Sequence, residues 1–174
     1  MSVRRARRLL AALLVGLPLT ACGLVPSGTT YAAGAARFTA PPGWDVRTNA
    51  REASAPGRVA LLANQPIDPD CHLPEPCADP VVGLGPGDVL VLWVFRNCLP
   101  DCQLPDEGRL LVGGREAIRA EAEVPCGYGT SAETVVVAVT PQRHDLISAC
   151  YGGDDPAARA AFDGLLASIA WTVP

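Results

Sequence analysis

The chain contains no lysine; all 14 of its basic residues are arginines, against 18 acids in 174 residues. Four of the arginines fall in the first eight residues, so the remainder carries ten against 18, a net of −8. That balance leaves no basic stripe to neutralise phosphates and argues against a nucleic-acid partner. Histidine is nearly as scarce. His72 and His144 are the only two, which leaves few groups for general acid–base work near neutral pH. The nucleophile-elbow pattern G-x-S-x-G is missing as well. The uncharged apolar run near the amino end, Leu9–Ala21, has 13 residues, short of the about 20 that a membrane-crossing helix needs. Aromatic residues number nine, so valine, leucine, isoleucine and alanine must build the core.

What is present begins with MSVRRARR and the apolar run that follows it. A basic start, a short apolar stretch and small residues before a break form an export signal. The break is Leu19-Thr20-Ala21-Cys22. It resembles the lipobox of bacterial lipoproteins, which implies a diacylglyceryl thioether on Cys22 and cleavage before it. A thiol is the one neutral side chain nucleophilic enough to take the lipid readily. Two or three acyl chains, at about 0.8 kcal/mol per buried CH₂, hold a protein on a membrane far better than one. The expected division is residues 1–21 as signal peptide, 22–36 as a lipid-anchored flexible tether, and 37–174 as one domain. The pairs Arg4-Arg5 and Arg7-Arg8 admit twin-arginine export, with Sec export as the default.

Along the domain, Ala36–Asn49 predicts two short strands about the Pro41-Pro42-Gly43 break, with Phe38 and Trp44 as anchors. RVALLA at 58–63 and DVLVLWVFR at 88–96 predict buried strands. Residues 67–80 and 97–108 are rich in proline and acids and predict irregular loops. Gly113-Gly114 predicts a tight turn, followed by alternating Ile118, Ala120, Ala122 and Val124. Strands at 133–140 and 144–151 continue a meander. Asp155-Pro156 is a helix start, and Ala158, Phe162, Leu165, Leu166 and Ile169 share one face, so the helix must pack on the sheet. Residues 169–173 predict a closing strand. Trp44, Trp93 and Trp171 are expected in or beside the core.

Six cysteines remain in the exported chain: Cys71, Cys77, Cys98, Cys102, Cys126 and Cys150. An even count in an oxidising compartment reads as three disulfides. The meander brings Cys126 and Cys150 to one sheet end, which favours that bond. Cys71–Cys77 and Cys98–Cys102 are the simplest local pairs; the rival is a bond between the two loops, such as Cys71–Cys98. The spacings C-x5-C and C-x3-C do not match a zinc ribbon, so no metal or cofactor is expected. Asp68, Asp70, Glu75 and Asp79 crowd one loop without the spacing of a calcium hand and read as solvated charge. Gly83–Gly87, GLGPG, reads as a turn, because a strand and not a helix follows it. In Arg143-His144-Asp145, neighbours on a strand face opposite ways and cannot form a relay; His144 reads as a strand-end residue with a surface hydrogen bond. Asp154 and Asp155 read as capping residues.

The opening F-x-x-P-x-G-W of Phe38–Trp44, the G-R-E-A-I hairpin of Gly114–Ile118, the meander, and a helix carrying Phe162 before Ile169-x-Trp171 resemble the PsbP/Mog1-like domains. The resemblance covers Arg37–Pro174. It implies an α+β fold, an antiparallel sheet with helices packed on its faces in an α/β/α sandwich. A second helix would have to come from 48–57 or 77–85. It also implies a binding or assembly role. The expectation is therefore a monomeric, extracytoplasmic, membrane-anchored and non-enzymatic binding or accessory module. The alternatives are an envelope hydrolase with an unrecognised site and a carrier of an apolar ligand, which would need a large apolar cavity.

Overall fold

The structure is a computed structural model and describes residues 28–49, 57–73, 77, 79–98, 103–121 and 131–172. The leader, Cys22, Glu75, Cys102 and Cys126 lie outside the described residues.

Ten strands and one helix are described: β1 Thr30–Ala33, β2 Ala36–Thr39, β3 Asp45–Thr48, β4 Gly57–Ala63, β5 Val89–Asn97, β6 Arg109–Val112, β7 Arg115–Glu121, β8 Ser131–Thr140, β9 Arg143–Tyr151, α1 Pro156–Ala167 and β10 Ala170–Trp171. Seven strands form one antiparallel sheet in the order β3-β4-β5-β9-β8-β7-β6. Three form a small antiparallel sheet, β1-β2-β10. The meander joins β7, β8 and β9, and β4 lies antiparallel to β5.

The fold-class expectation is corrected here. Strands dominate, and α1 is the single helix among the described residues. Residues 79–85 form no helix, with Pro80, Gly83 and Gly85 breaking any helical period; residues 50–56 and 78 of the two segments considered lie outside the described residues. No α/β/α sandwich forms among the described residues: α1 packs on one face of the large sheet, and an irregular loop covers only part of the other. The tether boundary moves as well. β1 lies inside the segment expected to be a flexible tether, and it pairs along its length with β2, Tyr31 opposite Phe38.

Alternation along β5 explains the two cores. Val89, Val91, Trp93 and Phe95 point to the inner face, where Phe162, Leu165 and Leu166 of α1 and Ala36 and Phe38 of the small sheet cover them. Leu90 points outward and joins Leu61, Ala63, Ile67, Cys71, Val81 and Cys150 in a second cluster. The period of two thus places one strand in both cores. Beyond the loop's cover, Val94, Leu146, Val136 and Ile118 align across four strands as a half-exposed row.

The helix forms where its signals place it. Asp155 caps it by accepting the Ala157 N–H at 2.8 Å, and Pro156 opens it. Asp154 is not a cap; it pairs with Arg159 at 3.3 Å. At the far end the Ser168 hydroxyl accepts the Thr39 N–H at 2.9 Å and donates to the Leu165 carbonyl at 2.7 Å. That hydroxyl fixes the helix end to β2. Gly113 turns the β6–β7 hairpin at φ 56°, and a Cβ there would lie 2.5 Å from the Ile169 carbonyl oxygen, so glycine is required on two counts.

Trp93 links the layers. Its indole N–H donates to the Asp145 carboxylate at 2.8 Å. Asp145 has no solvent exposure and also accepts from Arg143 at 2.7 and 3.2 Å. The Arg143 guanidinium stacks 4.4 Å over the Phe95 ring. The Trp93 ring meets Phe38 at 5.7 Å and Trp171 at 5.9 Å.

Removing one partner of a buried ion pair leaves an uncompensated charge and costs about 3–5 kcal/mol. Asp145→Ala should lower stability by about that much in urea unfolding, and the double change Arg143→Met with Asp145→Leu should cost less. A loss below about 1 kcal/mol for Asp145→Ala would rule out the pairing as a major support.

Candidate functional site

Two places concentrate chemistry. The first is the loop between β4 and β5. Pro66, Ile67, Asp68, Pro69, Asp79, Val81 and Val82 line a groove of about 420 Å³. The described residues of this loop form no helix or strand, yet they are held at many points. Cys71 and Cys77 close it as a disulfide. The Asp68 N–H donates to the Pro80 carbonyl at 2.9 Å, drawing the two limbs together. Asn64 donates to the Gly87 carbonyl and accepts the Val89 N–H, and Gln65 donates to the Gly83 carbonyl. The Ile67 N–H donates to Asp45 at 3.0 Å, and Arg58 donates to the Cys77 carbonyl at 3.1 Å.

The side chains of this loop divide by burial. Ile67 and Val81 sink into the outer core, each 3% exposed. Val82, next along the chain, is fully exposed. An isolated exposed apolar residue is ordinary; this one stands on the lip of a pinned groove with an apolar floor. The carboxylates of Asp68 and Asp79 stand at the rim, both exposed. The groove therefore offers an apolar floor and a negative edge.

The second place is polar and lies between α1 and the sheet. Glu133 of β8 is nearly buried. It accepts the Tyr151 hydroxyl, lies 3.5 Å from the Arg119 guanidinium and 4.0 Å from that of Arg159. Arg119 also reaches Asp163 at 2.5 Å, and Arg159 stacks 5.0 Å over the Tyr151 ring. Burial pushes the Tyr151 hydroxyl far above the ordinary tyrosine range, and its hydrogen bond to Glu133 adds to the shift. A phenol held protonated this firmly is a structural donor. The groups of this cluster face one another and neutralise mutually, joining α1 to β7, β8 and β9.

Cys71 and Cys77 bond to each other beside the groove. Cys98 and Cys150 are also disulfide-bonded, and Cys102 and Cys126 lie outside the described residues. Where three disulfides were expected, the described residues thus contain one with both ends in view. His144 points to the opposite face of β9 from Arg143 and Asp145, which pair with each other. His72 is exposed near the disulfide. No group of three or more metal-ligating side chains occurs among the described residues, and none of their helices is long and apolar enough to cross a membrane. The Glu133 cluster went unread in the sequence, although one signal existed. Glu133 shares the parity of Val135, Val137 and Val139, so an acid stands on the core face and must find partners there. No protein-family model matches the chain, and no curated protein matches it.

The missing lysines make Tyr151 testable, because few side chains titrate at alkaline pH. A tyrosine whose folded pKa is raised contributes stability that is complete below the unfolded value near 10 and is lost as pH climbs above it. Urea unfolding should show stability falling above pH 10 by up to about 1.4 kcal/mol per pH unit from this group. Tyr151→Phe should flatten that fall and cost about 1–3 kcal/mol at neutral pH, since Glu133 loses a donor. Equal alkaline slopes in the two proteins would exclude the burial of this hydroxyl.

Proposed function

We propose that the protein is a lipoprotein held on the outer face of the cell membrane through Cys22, and that it works as a non-enzymatic binding module whose contact surface is the β4–β5 loop groove. The anchor rests on the Leu19–Cys22 signal behind a basic, apolar leader. The binding role rests on one observation above all: Val82 is fully exposed on a loop closed by a disulfide and pinned by side-chain hydrogen bonds. A loop ordered before binding loses little entropy when a partner arrives, and covering a valine contributes about 1.5–3 kcal/mol. Asp68 and Asp79 at the rim favour a partner segment with an apolar anchor flanked by arginine or lysine. The protein acts as a monomer in this role, and the membrane is its first partner.

Two measurements test this. Metabolic labelling with a fatty-acid analogue should mark the wild type and not Cys22→Ser; label on the variant would contradict the anchor. A random peptide selection against the exported domain should enrich apolar residues beside cationic ones, with Val82→Asp weakening the selected peptides at least about tenfold. Peptides that bind Val82→Asp equally well would remove the groove as the contact surface.

A further inference from the structure

The end of the domain where the chain enters carries a second groove, separate from the disulfide loop. Tyr31, Pro41, Pro42 and Trp44, with Gly28 and Thr29, line about 390 Å³. None of the described residues lining it is charged, in a protein with 18 acids. The nearest ionisable side chains on β3, Asp45 and Arg47, pair with each other at 2.6 Å. Pro42 and Gly43 are exposed at the tip of the turn. The three tryptophans also differ. The indole N–H groups of Trp93 and Trp171 donate inside the protein, to Asp145 and to the Val112 carbonyl. That of Trp44 donates to no other described residue, and its ring is half-buried.

The chain's entry point is fixed at this groove. A Cβ on Gly28 would lie 2.1 Å from the Ala40 carbonyl oxygen, and the Ala40 N–H donates to the Thr29 carbonyl at 3.1 Å. Gly28 is therefore clamped against the turn. Six residues carry the chain from Cys22 to Gly28, a reach of at most about 20 Å when fully extended. A lipid on Cys22 would hold this end of the domain, and no other feature so directly, near the bilayer.

We propose that this end, comprising Tyr31, the Pro41-Pro42-Gly43 turn and Trp44, rests in the headgroup layer of the membrane. The inference rests on the lipid anchor at Cys22 and goes beyond it by giving the domain a fixed orientation. Tryptophan and tyrosine place an apolar ring and a polar atom at once, which suits them to the headgroup region. Carboxylates are repelled by anionic lipid, and none of the described residues lining this groove, at the end of the domain nearest Cys22, carries one. The orientation would leave the indole N–H of Trp44 to bond headgroup oxygens.

The test uses the full lipidated protein in vesicles of phosphatidylcholine with a minor share of phosphatidylglycerol and a spin label at the headgroup level. Flotation and tryptophan quenching are read on the same sample. Wild type should float and lose emission to the label. Trp44→Phe should float equally and lose that quenching, with Trp93 and Trp171 shielded by the protein. Pro42→Asp, on the exposed turn, should float and show weaker quenching, which keeps the test sound if Trp44→Phe folds poorly. Flotation with equal quenching in all three proteins, or with none, would overturn the orientation alone and leave the groove to a soluble ligand or a second copy. Failure of the wild type to float would refute the anchor itself, and the orientation with it.

Discussion

A carboxylate with no access to water dictates much of this structure. Asp145 can be buried only because an indole N–H and a guanidinium fork satisfy it. The arrangement constrains its partners in turn. Trp93 must hold its ring at one angle to reach Asp145, and in that position it presents its faces and edge to Phe38 and Trp171. Those two residues belong to the small sheet. The Trp171 indole then donates to the Val112 carbonyl at the β6–β7 hairpin. A chain of contacts so runs from β5, inside the large sheet, through the small sheet, to β6 at its edge.

The two faces of the large sheet are closed by different means. On the inner face α1 and the small sheet supply ordinary apolar packing, and Glu133, Tyr151 and two arginines seal the margin with paired charge. Over part of the outer face an irregular loop does the same work with few apolar residues, held by a disulfide and several backbone-directed side chains. A loop that must satisfy its own polar groups to stay in place is rigid, and rigidity lets it display Val82 without collapse. The proposed contact surface is thus a consequence of how the outer core is covered.

Much of the architecture was readable from residue order. The apolar run at 88–96, the double glycine, and Asp155-Pro156 before an apolar helical face each specify a local conformation strongly, and β5, the hairpin and α1 appear there. The alternation after the glycines gives β7 with its faces exchanged: Ala117 is in the core and Arg119 turns to α1, while Ile118 and Ala120 lie on the outer side. The small sheet was not readable. It pairs Ala36 with Trp171 across nearly the whole chain, and no local period announces such a partner. β1 was missed because it is only four residues long and its strand-favouring Thr30 and Tyr31 are followed by two alanines; pairing with β2 supplies the rest. The helix-flanked sandwich failed for a related reason. An apolar outer face demands a cover, and the proline-rich segment between β4 and β5 provides one without being helical. Asp145 and Glu133 were legible in part, as acids on core-facing positions, but which donors would meet them depends on strands far apart in the chain.

The Trp93 indole is locked to Asp145, in an interior that should open only when the whole fold opens. Hydrogen exchange of that single indole proton, followed by nuclear magnetic resonance, tests it directly. The expected result is exchange among the slowest in the molecule, with a protection free energy equal to that of global unfolding measured in urea. Exchange within minutes under conditions where the backbone of β5 and β9 stays protected would contradict it.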